Sequence, residues 1–245
     1  MDEQITTEWI ELDGGPDAYL AAPRDTHPVG AVVAGAEMFG STEHARDVCE
    51  RLARAGYAVV SPDLYWRDTP RIELGYDDAG RAEGRRLMTG LRRDEVLADV
   101  AAALAEARAR AGRGGSAVVG LSLVGHIAVL AATRLPIDLA VTFYGGWTLR
   151  GGIPLAEPAP LDEAEAIRGF VLGFVGGQDT IVPPDEWQAI GQRLTGAGVK
   201  HELVTYPEAA HGFACPDRPE TYDADAAADA WRRTLEALHT HVAAA

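Results

Sequence analysis

The sequence predicts an α/β fold, with a mostly parallel sheet covered by helices on both faces and an antiparallel hairpin at its N-terminal end. Two observations lead to it. Short β-branched apolar runs recur along the chain, and from residue 30 onward they alternate with stretches of helical spacing. Those runs are also apolar throughout rather than at every second residue, as strands buried on two faces must be. The alternation continues across all 245 residues with no linker-like stretch and no internal repeat, so one domain over 1–245 is expected.

Taken in order, "TEWIEL" (Thr7 to Leu12) and "DAYLAAP" (Asp17 to Pro23) flank Asp13-Gly14-Gly15-Pro16, a turn signal, and form the hairpin. "GAVVAGA" (Gly30 to Ala36) is the first buried strand. Ser41 to Ala55 has helical spacing, with Val48, Leu52 and Ala55 on one face and Gly56 as its stop. "YAVVSP" is the next strand, Asp63 to Gly80 a long polar loop, and Arg92 to Arg110 an alanine-rich helix. Ser116 to Gly120 is a strand, Leu123 to Arg134 a helix and Asp138 to Tyr144 a strand, followed by a Gly/Pro-rich loop through Pro160. Gly169 to Val175 and Lys200 to Tyr206 are the last strands. Pro184 to Leu194 and a segment from about Ala224 are the last helices.

Composition narrows the function. The net charge of -15 argues against a nucleic-acid partner, because phosphate binding needs a basic footprint. The acidic start "MDEQITTEWI" lacks the features of a signal peptide and no apolar run is long enough to span a membrane, so a cytoplasmic protein with no membrane partner is expected. Two cysteines, Cys49 and Cys215, make no disulfide framework and are expected to be reduced. Metal-ligand spacings, a Walker A loop and a dinucleotide fingerprint are absent, so neither metal nor cofactor is expected and the chemistry falls to side chains.

In such sheets functional groups gather beyond the carboxyl ends of the strands. In "AVVGLSLVGH" a strand turns into a helix with Ser122 at the apex. Ser122 is either a nucleophile on a strained turn, with the Leu123 N–H beside it as an oxyanion donor, or an ordinary helix N-cap. His211 follows the last strand in "TYPEAAHGFAC". Asp179 follows another in "GGQDTIVPP", where a turn aspartate before a proline-led helix is the plainer alternative. Together, Ser122, Asp179 and His211, each after a different strand, have the chain order of an α/β-hydrolase triad.

With those residues in view, the chain resembles the dienelactone hydrolase family. The matching segments are "GAEMFG", "SPDLYWR", "GLSLVG", "GGQDTIVP" and "YPEAAHGF", from about Val32 to Phe213. The resemblance implies an α/β-hydrolase fold, a Glu37 that faces the resting nucleophile, and a Met38 N–H that joins that of Leu123 in the oxyanion hole. Ser122 stands where the family prototype has cysteine, and Val124 where it has glycine. A β-branched side chain at 124 is expected to open or shift the turn. The prototype's arginine after its His-x-Phe segment is matched here by Cys215, while Arg81, Arg85 and Arg86 lie in the region of another. Phe39, Tyr65, Trp66, Tyr144 and Trp147 follow strand ends and either line an apolar mouth or pack beneath loops. A substrate bulkier and less anionic than a small dienelactone acid is expected.

The function predicted is a serine-dependent hydrolase of a small ester or lactone through an acyl-enzyme on Ser122. A cyclase, lyase or isomerase using His211 or Glu37 as acid or base, and a non-catalytic ligand-binding protein on the same scaffold, are the alternatives.

Overall fold

The structure, a computed structural model, describes residues 4–243; the first three residues of the acidic start, Met1, Asp2 and Glu3, lie outside the described residues. Eight strands form one sheet: β1 (Ile5–Glu11), β2 (Asp17–Pro23), β3 (Ala31–Ala36), β4 (Ala58–Pro62), β5 (Ser116–Leu121), β6 (Leu139–Phe143), β7 (Phe170–Gly176) and β8 (His201–Tyr206). Their order is β1-β2-β4-β3-β5-β6-β7-β8. β1 and β2 pair antiparallel, β2 joins β4 antiparallel, and every other pairing is parallel. The hairpin turn closes through Gly15 N–H on the Leu12 carbonyl, with Gly14 at a φ of 64°. The fold is that of the α/β-hydrolases.

The runs that are apolar throughout have their explanation in two packed faces. Val33, Val60, Val118, Ala140 and Val171 point into one layer, with α3 (Arg93–Ala111), α4 (Leu123–Arg134) and α5 (Pro184–Gly196) over it. Their neighbours Val32, Val59, Val119, Val141 and Leu172 point into the other, covered by α1 (Glu43–Arg54) and α6 (Ala224–Leu238). Helix α4 is buried along its length from Leu123 to Thr133, which is why its sequence shows no polar face.

Two expectations are corrected. The polar stretch after β4 ends in a helix, α2 (Asp78–Gly90), capped by the Asp77 side chain accepting from Gly80 N–H at 2.8 Å. Its buried face is Gly80, Gly84, Leu87 and Met88, so glycine stands where an apolar stripe would signal a helix. A Cβ at Gly84 would come within 3.0 Å of the Met38 carbonyl; α2 rests directly on that backbone. On α1, Ala55 is the exposed C-cap, and Ala53 is buried with Val48 and Leu52 instead. The Gly/Pro-rich stretch carries two 3-10 segments, Pro154–Ala156 and Pro160–Ala166, and the described chain ends in a π-turn at His239–Ala243. Among the described residues no helix is long and apolar enough to cross a membrane.

Two histidines are buried as neutral groups. His126, within α4, donates from Nδ1 to the Gly146 carbonyl at 3.0 Å, and burial pushes its imidazole down to about 4. His44, within α1, is pushed down to about 4 by the same cause. Between pH 7 and 5 the unfolded chain takes up protons on these residues and the folded protein does not, so stability falls as pH falls. Each histidine is expected to contribute about 2 kcal/mol of that loss. Urea unfolding of His126→Gln should show a smaller drop between pH 7 and 5 than the parent; an equal drop would contradict the assignment.

Candidate active site

Interstrand hydrogen bonds that run past the strand ends set the site. Glu37 N–H donates to the Leu121 carbonyl, Ser122 N–H to Phe143 and Tyr144 N–H to Phe174. Glu37, Ser122 and Tyr144 are thereby held in line above the sheet, each with positive φ, at 55°, 52° and 43°. Such backbones cost about 1–3 kcal/mol each and persist only where the surroundings dictate them.

At Ser122, φ 52° and ψ -112° are not those of a cap, and its hydroxyl makes no capping bond to α4. Oγ lies instead 3.0 Å from Nε2 of His211. Nδ1 of His211 is 2.8 Å from Oδ2 of Asp179. A carboxylate can only accept, so Nδ1 carries the proton, and Nε2 is left free to accept from Ser122. Oδ1 of Asp179 accepts from Ile181 and Val182 N–H at 2.8 and 2.9 Å. Asp179 is therefore both the turn aspartate and the partner of His211. The edge-on ring of Tyr144 packs against His211 with centroids 4.9 Å apart.

The expected distortion by Val124 is corrected. A Cβ on Gly35 of β3 would lie 3.2 and 3.3 Å from the two methyls of Val124, so Gly35 provides the room that residue 124 takes. Gly120 and Gly125 keep the close contact of α4 with β5 and β6. A Cβ at 120 would fall on the Val124 backbone, and one at 125 would come within 2.8 Å of the Thr142 hydroxyl and 3.0 Å of the Phe143 carbonyl. Leu123 opens α4, where an N–H has no acceptor within the helix. Met38 is held from the other side, its carbonyl accepting from the Tyr65 hydroxyl at 3.1 Å.

Glu37 is buried, and burial raises its carboxyl pKa, with Arg218 and His211 opposing the shift. Its Oε1 accepts from Arg218 Nη1 at 3.1 Å, while Oε2 is buried without a partner. Arg218 is the residue that sequence reasoning missed. It lies three positions beyond Cys215, and the loop reaches back because Gly212 is bare; a Cβ there would fall on the Arg218 guanidinium. The surrounding "CPDRPE" contains the only cation near that motif, but its loop path is not readable from pattern. Arg81, on α2, donates to Glu220 at 2.9 Å, whereas Arg86 pairs with Asp68 and Glu83 on the outer surface.

The aromatic side chains that follow the strand ends differ in their surroundings. Trp66 donates its indole N–H to Asp99 of α3 and stacks under Arg67. Phe39 is buried edge-on to Tyr76. Trp147 is half-buried beside Gly152. Trp66 and Phe39 thus have partners within the protein, and Trp147 packs against the core. Tyr65 and Glu37 do line a cavity, together with Gly35, Ser61 and Val124; Ser122 and His211 are not in its wall. Cys49 and Cys215 are free and buried, and burial pushes both thiols up to about 12. Among the described residues no three His, Cys, Asp or Glu side chains are grouped to hold a metal ion.

The chain is similar to known proteins. The model of the dienelactone hydrolase family matches residues 17–242. A provisionally named carboxymethylenebutenolidase of Synechocystis sp. is 34% identical over 226 residues, 91% of each chain. A carboxymethylenebutenolidase of Rhodococcus opacus is 30% identical over 225 residues, 90% of this chain and 85% of that one. A provisionally named dienelactone hydrolase of Klebsiella pneumoniae, known from its crystal structure, superposes with a TM-score of 0.83 at 32% identity, covering 95% of this chain and 97% of that one.

The fit of Val124 to Gly35 is testable by a double-mutant cycle. Gly35→Ala is expected to destabilise by about 1–3 kcal/mol through overpacking. Combined with Val124→Ala it should cost less than the sum, with a coupling of at least about 0.5 kcal/mol in urea unfolding. Strict additivity would mean the two side chains do not meet.

Proposed function

The chain belongs to the dienelactone hydrolase family, and from that premise we propose that it is a serine-dependent hydrolase of a small ester or lactone. The observation that carries the reading is the hydrogen-bonded line from Ser122 through His211 to Asp179.

His211 Nε2 takes the hydroxyl proton as Ser122 Oγ attacks the carbonyl carbon. Asp179 holds the imidazole tautomer and stabilises the imidazolium that forms. The N–H groups of Leu123 and Met38 receive the oxyanion of the tetrahedral intermediate. On its collapse the carbonyl–oxygen ester bond breaks and His211 returns the proton to the leaving alkoxide. With a lactone, that hydroxyl stays attached to the acyl chain. Water, deprotonated by His211, then cleaves the acyl–Ser122 ester by the same steps. A serine needs this base more than a thiol would, because its hydroxyl is a weak nucleophile until its proton is drawn away.

Tyr65 supports the Met38 backbone from below and Tyr144 backs the imidazole, so both position groups rather than react. Glu37, protonated more readily for being buried, sets the environment of the resting hydroxyl. The expectation of a less anionic substrate rested on Cys215 standing in an arginine's place. Arg218 supplies that cation beside Glu37, and Arg81 supplies a second on α2, which favours a substrate that carries a carboxylate.

A fluorophosphonate probe read by intact-protein mass spectrometry tests the assignment. One adduct is expected, absent in Ser122→Ala and strongly slowed in His211→Ala. Ester turnover in Ser122→Ala should fall by on the order of 10⁴-fold or more. An unlabelled parent protein, with access shown by a small probe, would refute the nucleophile and redirect attention to acid–base chemistry at His211 or Glu37.

A further inference from the structure

Four charges of alternating sign run outward from the site. Glu37, with 3% of its side chain exposed, pairs with Arg218 at 3.1 Å, itself 13% exposed. Glu220 Oε1 lies 2.9 Å from Arg81 Nη2 and 4.0 Å from Arg218 Nε. One carboxylate oxygen thus stands between the two cations. Arg218 Nε is buried and donates to nothing, so the second of those approaches leaves a guanidinium N–H unsatisfied.

We propose that Glu220 is a built-in competitor for the carboxylate of an anionic substrate and thereby sets the preference between anionic and neutral esters. The proposal rests on the hydrolase reading above. Its physical basis is the unequal hold on the two acids. Glu37 is enclosed and its exchange would strand a buried charge. Glu220, with 52% of its side chain exposed, makes a solvent-screened pair with Arg81, and such pairs are weak enough to be exchanged. An incoming carboxylate that displaces Glu220 gains both Arg81 and the unused Arg218 Nε–H. Other acids face the same cations: Asp78 lies 3.6 Å from Arg81, and Asp217 acts on Glu37. They remain when Glu220 is removed and limit the size of the effect. The backbone places Glu220 inside a turn, with Thr221 and Tyr222 N–H both donating to the Arg218 carbonyl, so its carboxylate and the Arg218 guanidinium stay close.

The test compares mono-para-nitrophenyl adipate with its methyl ester, which has the same length and no charge, and follows nitrophenolate release. Glu220→Gln is expected to lower KM for the anionic ester about fivefold at low salt, with kcat unchanged and the neutral ester's constants moving by less than about twofold. High salt should erase the gain. Adding Arg81→Ala to Glu220→Gln should also erase it. An unchanged or higher KM for the anionic ester in Glu220→Gln, with neutral turnover intact, would overturn the proposal and leave the hydrolase reading standing. Failure of the parent protein to turn over either ester would overturn both.

Discussion

The position of the Ser122 hydroxyl depends on how closely α4 comes down onto β5. At Gly120 the two backbones approach so nearly that no side chain fits between them, and Gly125 is equally confined against β6. That contact forces the chain to reverse within one residue, and Ser122 takes the positive φ that the reversal requires. Strain at one residue is sustained by a helix buried from Leu123 to Thr133 on one side and a fully paired strand on the other. Val124 belongs to the same contact. Its bulk is absorbed across the sheet, by a bare position on β3, rather than within the turn itself.

A second backbone contact ties the remaining two members together. The loops after β7 and β8 meet main chain to main chain. Gln178 N–H donates to the Ala209 carbonyl and Gly177 N–H to Tyr206, and Cβ atoms at Gly176 and Gly177 would overlap the Ala209 and Pro207 segments. Asp179 and His211 are therefore held relative to each other by the backbone as well as by their own hydrogen bond. Asp179 adds two backbone N–H bonds of its own, so its orientation does not depend on His211.

Most of this was readable where one residue type carries one physical demand. The alternation of buried strands and helices reported the sheet, and glycines flanking Ser122 reported the turn. The order of Ser122, Asp179 and His211 reported their meeting above it. What escaped were features made by backbone proximity instead of apolar pattern. Helix α2 buries glycines, so no stripe announces it. The room for Val124 comes from Gly35, about ninety residues away in sequence, which no local window relates to the elbow. Arg218 reaches Glu37 only because the loop doubles back past Gly212. The aromatics after strand ends were ambiguous for a different reason: Trp66 and Phe39 have the same composition signal whether they face a ligand or a neighbouring helix.

The free cysteines have a consequence for chemistry under oxidising conditions. Peroxide attacks thiolates, and a relative that relies on one would lose turnover as that sulfur climbs through its oxyacids. Here the proposed nucleophile is an oxygen, and both sulfurs are enclosed and held in the protonated form, Cys215 within the very loop that carries Arg218. An oxygen nucleophile has less intrinsic nucleophilicity than a thiolate, but it has no ladder of oxyacids to climb.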